Sequence, residues 1–342
     1  MKTQKRILSI TSGLTVVSLY ALFLILGGCS KTAGLTQQSQ QASTLSSGTL
    51  TAATSNSNLI AYKNSSHHIF VGYLVADGAD PAASFNPANA PDSVDFLEFF
   101  AGRDANRADW RAAQVKGTRI VVCHFLSDAY FDGSTQDGGT GGTTPKSTST
   151  YNHWAQAMYQ QHIVNDSLDG IDIDIESGTL GGEVTSATNA KNVLIALSKY
   201  FGPNSTSALT VMGKKPVFFF DTDGSIPGGD GALYTNYKTN YDYVLFQSYT
   251  TGNHYWSGSG TQSFSPLVQT YGLNKLVFLV NGDTFTSSNT DATTTSLLSY
   301  AQWVKTNNGV GVGAYRMSRD YNHTPPFYAT RSAIQIMNPA TN

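Results

Sequence analysis

Hydrophobic residues recur along this chain in short continuous runs, separated by longer polar or amphipathic stretches. From residue 68 onward eight runs stand out: HIFVGYLVA (68–76), SVDFLEFFA (93–101), GTRIVVCHFL (117–126), LDGIDIDIE (168–176), KPVFFFD (215–221), YDYVLFQSY (241–249), KLVFLVN (275–281) and GVGVGAYRM (309–317). Near-continuous apolar runs of this length suit strands covered on both faces, as in parallel sheet. Two of the intervening stretches carry a helical period. NAKNVLIALSKYF (189–201) puts Val193, Leu194, Leu197 and Phe201 on one face, and TTTSLLSYAQWVKT (293–306) does the same with Leu297, Ala301 and Val304. DGADPAASFNPANAP (77–91) has the composition of a loop, so the first helix is expected to be short or missing. Eight strands with alternating helices predict an α/β chain in the form of a (β/α)8 TIM barrel, with an open doubly wound sheet as the alternative.

The polar pattern sets the boundaries. Lys2, Lys5 and Arg6 precede an apolar run that ends at Gly28. The run is interrupted by Ser and Thr and falls short of the ~20 apolar residues of a comfortable membrane span, so a secretory signal fits better. Its end, Leu26-Gly27-Gly28-Cys29, resembles the bacterial lipobox, which implies lipidation of Cys29 and a mature chain starting there. Residues 30–59 are Ser, Thr, Gln, Ala and Asn with almost no large apolar side chains, and read as a flexible tether. Residues 60–342 are then left for one barrel. If Cys29 is acylated, Cys123 has no disulfide partner and reads as a small core residue.

Composition narrows the function classes. Charged residues are 13% of the chain, against about 25% for an ordinary globular protein, and the formal net charge is −2. Nothing here attracts nucleic acid. A surface rich in Ser, Thr, Asn and Tyr suits a neutral polar ligand such as a sugar.

The exception to this poverty of charge is SLDGIDIDIESG (167–178). Side chains alternate across a strand, so Asp172, Asp174 and Glu176 share one face, and Ile171, Ile173 and Ile175 share the other. In a barrel the isoleucines pack under the helices and the carboxylates point to the axis, with Glu176 nearest the C-terminal rim where barrel enzymes place their active sites. Crowded, buried carboxylates cannot all ionise cheaply, and at least one pKa rises, as a general acid near neutral pH requires. The alternative for such a strand is binding of Ca²⁺ or Mg²⁺, but the i, i+2, i+4 spacing with intervening Ile fits a strand better than a cation loop. DTDGSIPGGDG (221–231) also lacks the closing Glu of a calcium loop, and no metal ligands are assigned.

Asp169-Gly170-Ile171-Asp172-Ile173-Asp174-Ile175-Glu176 resembles the DGxDxDxE signature of glycoside hydrolase family 18, the chitinases and endo-β-N-acetylglucosaminidases. That family places it on the fourth strand of a (β/α)8 barrel, and here it falls on the fourth candidate strand. Asp242 and Tyr249 in YDYVLFQSY keep the family's sixth-strand spacing. Gln247 and Thr250 stand where chitinases usually carry Met and an acidic or amide residue, and Tyr315 stands where they carry Trp. The stretch from Asn281 to Gly309 is too short for the small α+β domain that many processive chitinases insert there. These departures resemble the endoglycosidase branch.

The resemblance implies retaining, substrate-assisted hydrolysis with Glu176 as acid and base, Asp174 orienting the substrate acetamido group, Asp172 sharing a proton with Asp174, and Tyr249 donating to the acetamido oxygen. It implies no metal or cofactor. Asp169, on the other parity, is expected to be structural. Gln247, Tyr315, Tyr73 and Trp256 are the candidate substrate-binding residues. Tyr255 and Trp256 in GNHYW (252–256) can stack on sugar rings or pack the loop, and His124 can line the cleft or sit in the core. The loop STQDGGTGGTTPKSTST (134–150) can contact glycan. The expected function is an exported lipoprotein endo-β-N-acetylglucosaminidase, at the outer membrane or cell surface, cutting the GlcNAc-β1,4-GlcNAc core of N-glycans. A chitinase acting on GlcNAc oligomers and a catalytically inactive glycan-binding barrel are the alternatives. One barrel with no surplus amphipathic surface is most simply a monomer.

Overall fold

The computed structural model describes residues 53–75, 80–100, 107–125, 148–175, 187–224, 236–249 and 264–340. The signal segment with Cys29, Glu176, the 252–256 segment with Trp256, and most of 134–150 and 221–231 lie outside the described residues. Eight parallel strands close on themselves in the order β1-β2-β3-β4-β5-β6-β7-β8. They are β1 (Ile69–Tyr73), β2 (Phe96–Phe100), β3 (Arg119–Phe125), β4 (Gly170–Ile175), β5 (Val217–Thr222), β6 (Tyr243–Gln247), β7 (Leu276–Asn281) and β8 (Gly311–Tyr315). Each lies within one of the eight apolar runs or overruns it by a single residue. Closure, with β1 pairing both β2 and β8, rules out the open sheet.

Among the described residues seven α-helices accompany the strands: α1 (Ala53–Asn64), α2 (Arg107–Gln114), α3 (Thr148–Met158), α4 (Ala187–Leu197), α5 (Ser265–Tyr271), α6 (Ala292–Asn307) and α7 (Tyr328–Met337). Between β1 and β2 the described chain forms only two 3-10 turns, Ala82–Phe85 and Pro87–Asn89, in keeping with the Pro- and Asn-rich sequence there. Between β7 and β8 there is only a 3-10 turn and α6, so no inserted domain is present. Helix α6 starts where Asp291 caps it, its carboxylate accepting from the Thr294 N–H at 2.6 Å.

Two differences from the sequence reading concern helices of weak pattern. Helix α1 begins inside the segment assigned to the tether. It is held at its far end by Lys63, whose ammonium donates to the Val94 carbonyl (2.7 Å) and the Thr118 hydroxyl (2.6 Å). Helix α3 takes the last three residues of the 134–150 loop and runs on into a π-helical turn at Tyr159–Asn165.

The parity of each strand divides the core in two. Ile171, Ile173 and Ile175 join Phe70, Leu97, Ile120, Phe218 and Phe220 under the helices. Val71, Tyr73, Phe96, Val121, Cys123, Phe219, Leu245 and Leu279 fill the barrel interior. Inside, backbones approach closely at glycine: a Cβ on Gly170 would lie 2.2 Å from the Val217 side chain, and one on Gly313 would lie 2.3 Å from the Val71 carbonyl. The Gly of the acidic motif is thus a packing requirement of the barrel floor.

The N-terminal face carries a repeated clasp. Asp95, Asp169 and Asp242 each stand just before an even-numbered strand. Their carboxylates accept from the N–H of Phe70 (2.9 Å), Ile120 (3.0 Å) and Phe218 (2.9 Å) on the preceding strand. Their own N–H groups donate to the carbonyls of those same residues. Asp169 also accepts from Gln114 Nε2 of α2 at 2.6 Å, which ties helix, β3 and β4 together. Asp169 is therefore structural, as its parity indicated. Asp169→Ala strands two buried donors and should lower stability by about 2–4 kcal/mol. The check is the midpoint of urea unfolding, with an unchanged denaturant slope.

Candidate active site

The acidic row on β4 faces the barrel axis. Asp172 is fully buried and Asp174 is 3% exposed. In the strand register Asp172 lies beside Cys123 of β3 and Phe219 of β5, and Asp174 lies beside Phe125 and Asp221. Glu176 follows Ile175, the last residue of β4, in the chain.

Two further carboxyls converge on this row that the sequence reading did not single out. Glu98, in the run FLEFF of β2, is fully buried and its side chain points inward. Asp221, near the end of β5, is 3% exposed. Tyr73 of β1 stands between them. Its hydroxyl oxygen is 2.7 Å from Asp172 Oδ2 and 2.9 Å from Asp221 Oδ2. One phenol carries one proton, so it donates to one of these carboxyls, and the other contact requires a proton on the carboxyl itself or a shared one. Tyr73 was expected to bind substrate. Its ring and hydroxyl are wholly buried, and its hydrogen bonds go to two carboxyls, so in this structure it braces the acidic row from beneath.

Gln247, at the end of β6, directs Nε2 to Asp174 Oδ1 at 3.3 Å. Tyr249 and Tyr315 lie partly exposed above, their rings 6.1 Å apart and inclined by 26°. Phe100 and Tyr73 meet the edge or tilted face of the same aromatic group. Tyr315 is followed by Arg316, which adopts a left-handed backbone (φ 50°). Its guanidinium pairs with Asp283 at 2.5 Å and Asp80 at 3.6 Å. A left-handed non-glycine residue costs of order 1 kcal/mol or more, and here two ion pairs hold it at the rim. The structure thus brings together Asp172, Asp174, Tyr249, Gln247 and Tyr315 around one axis. His124 lies on the other parity, beside Ile173, with Nε2 2.8 Å from His162 Nε2. It belongs to the packing between β3 and the π-helical turn.

Burial dominates the electrostatics. It pushes Asp172 from its ordinary 3.8 up to about 6, although Tyr73, Cys123 and Glu98 all supply hydrogen-bonding neighbours that favour the charge. Burial also holds Glu98 well above the usual carboxylate range, and the charges of Asp172 and Asp221 add to it. The Cys123 thiol and the Tyr73 phenol are raised by burial and then by the same carboxyls. An acid with a raised folded-state pKa keeps its proton longer folded than unfolded. Asp172 therefore takes stability away as pH rises from about 4 through about 6, and the loss is complete above that. Asp172→Asn should raise the thermal midpoint at about pH 8, and its advantage should shrink toward about pH 4. Thermal melts of both proteins across that range check it.

Comparisons with known proteins identify the family. The family model of the endo-beta-N-acetylglucosaminidase EndoS TIM-barrel domain matches residues 85–314. Endo-beta-N-acetylglucosaminidase F2 of Elizabethkingia meningoseptica is 29% identical over 323 residues, covering 86% of this chain and 88% of that protein. An endo-beta-N-acetylglucosaminidase of Bifidobacterium longum subsp. infantis is 27% identical over 174 residues, covering 50% of this chain and 29% of that protein. Among solved structures, the catalytic domain of a family GH18 chitinase from the fern Peteris ryukyuensis superposes with a TM-score of 0.53 at 16% identity, over 78% of this chain and 98% of that one. Active domain 2 of chitinase from Pyrococcus furiosus gives 0.50 at 13% identity, over 81% and 98%. At these identities the structural likeness speaks for the fold alone. The match of the family model over most of the barrel, on a closed barrel whose fourth strand carries the acidic row inward, shows that the chain belongs to the endo-β-N-acetylglucosaminidase EndoS TIM-barrel family, a family of glycosidases.

Proposed function

We propose that this protein is an endo-acting hydrolase that cleaves the GlcNAc-β1,4-GlcNAc core of N-linked glycans with retention, using the substrate's own acetamido group as nucleophile. The observation that carries this reading is the pairing of Asp172 and Asp174 on one inward face immediately before Glu176, with Gln247 on Asp174 and Tyr249 at the same mouth.

In this scheme Glu176 gives its proton to the glycosidic oxygen as the C1–O bond breaks. The acetamido oxygen forms the new bond to C1, producing an oxazolinium ion and releasing the reducing-end fragment. This replaces the carboxylate nucleophile of the ordinary retaining glycosidases. Asp174 accepts from the acetamido N–H, which aims the oxygen at C1 and offsets the positive charge that develops there. Gln247 steadies the other side of Asp174, and Asp172 beneath it titrates with it as a pair. Tyr249 donates its hydroxyl to the acetamido oxygen. Glu176 then takes a proton from water as the oxazolinium opens. Tyr315 forms the sugar platform beside Tyr249, and Trp256 is a second stacking residue. The scheme requires no metal or cofactor.

The leader supports a location. The basic start, the interrupted apolar run and Leu26-Gly27-Gly28-Cys29 make the protein an exported lipoprotein held by acylated Cys29, with residues 30–52 as spacer between membrane and α1. It acts as a monomer on glycans outside the cell.

The test of the activity is mass spectrometry of N-glycoproteins and GlcNAc oligomers after incubation with the enzyme. Glycan release that leaves a single GlcNAc on Asn, falling by at least about 100-fold in Glu176→Gln, is the expected result. Cleavage of GlcNAc oligomers alone moves the reading to chitinase. Glycan binding without cleavage makes the barrel a binding protein. For the anchor, metabolic labelling with a fatty acid should mark the wild-type chain and not Cys29→Ser; equal labelling would remove Cys29 from this role.

A further inference from the structure

Glu98 has no part in the scheme above, yet it occupies the centre of the barrel. Both its carboxylate oxygens are buried and neither has a hydrogen-bond donor of good geometry. The groups that face it are Tyr73 on β1, Cys123 on β3, Asp172 on β4 and Asp221 on β5. The one phenolic proton nearby already lies between Asp172 and Asp221. What remains against Glu98 is the carboxyl of Asp172, whose Oδ1 is likewise buried without a partner. Two ionised carboxylates in contact, each lacking a donor on the facing side, would leave buried acceptors unsatisfied on both. A single proton between them satisfies both at once.

We propose that Glu98 is a positioning residue of the reaction, resting on the proposed activity: as a carboxylic acid it donates its proton to Asp172 and fixes that side chain beneath Asp174. Asp172 then receives three protein donors, the phenol of Tyr73, the thiol of Cys123 and the acid of Glu98. Held this way, it keeps its charge and its rotamer while Asp174 turns to the acetamido group. Burial and the neighbouring acids both favour the protonated form of Glu98. A cation offers another route to neutrality, since donor atoms of Glu98, Cys123 and Asp172 all lie within 4.8 Å of one another. Metal content is therefore part of the test.

The full-length protein is used throughout. Infrared difference spectra at neutral pH, wild type against Glu98→Gln, should show a protonated-carboxyl C=O band that the substitution removes. In turnover, Glu98→Leu, which fills the space without a donor, should lower kcat about tenfold with KM little changed. Glu98→Gln, which keeps an N–H donor, should recover the larger part of that loss. Circular dichroism melts establish that each variant is folded. Loss of a carboxylate band instead of a carboxylic acid band, equal kcat for the Leu and Gln variants, or stoichiometric metal in the purified protein would each overturn the proposal. The infrared result stands whatever the substrate is, so absence of glycan cleavage by the wild type would sink the proposed activity without deciding the protonation of Glu98.

Discussion

Four carboxyls, Glu98, Asp172, Asp174 and Asp221, face one axis in a closed barrel interior lined mostly by apolar side chains, and the site depends on how their charge is held down. Burial is the strongest influence on both Glu98 and Asp172; after it come the charges of Asp172 and Asp221 for Glu98, and the phenol of Tyr73, the thiol of Cys123 and then Glu98 for Asp172. Arg119 is the cation of the barrel interior among the described residues, and it lies at the opposite end, over Phe96, with its Nη2 on the carbonyls of Asp169 and Lys215. Protons therefore do at this centre what an ion pair does elsewhere. A buried ion pair would fix the charges at every ordinary pH, whereas shared protons leave them movable within the range where the enzyme works. This makes the cluster costly to stability and useful to chemistry for one and the same reason.

The frame that tolerates this is stiff at the other face. Asp95, Asp169 and Asp242 use the same residue type as the active site, but each is matched with backbone N–H donors across a strand gap. At the N-terminal face a carboxylate meets donors and strengthens the barrel. At the C-terminal half it meets other carboxylates and is poised for proton transfer. The difference lies in where the strand parity and the neighbouring strands put it, which is the usual division of labour in such barrels.

Much of this was legible in the chain. The eight apolar runs marked the strands because parallel strands are covered on both sides, and the alternation of Asp and Ile in β4 separated the axis from the helix side. The lone acids were harder to see. Glu98 in FLEFF and Asp221 in VFFFD break apolar strands at inward positions, and that mismatch of a charge with a core position is the signal that could have found them. Tyr73 reads as a substrate-binding residue, and spacing along β1 does not reveal that two carboxyls from β4 and β5 reach its hydroxyl. Helix α1 was illegible because it has no apolar stripe. It rests on contacts such as Lys63 with Val94 and Thr118, which join residues far apart in sequence.

Gln247 fits the same logic. A side chain beside Asp174 has to orient it without altering the charge balance beneath. Lysine or arginine there would hold Asp174 ionised and pull the shared protons out of the Asp172 cluster, and a thioether would offer no N–H. An amide supplies a neutral donor at 3.3 Å, as Tyr73 supplies a neutral phenol to Asp172 and Asp221. Asp172, Asp174 and Asp221 thus each meet a group that donates a hydrogen bond and carries no charge. Such a shell aims each acid while leaving its pKa under the control of burial and of its acidic neighbours, which is the condition a proton-sharing pair needs to switch partners when substrate enters.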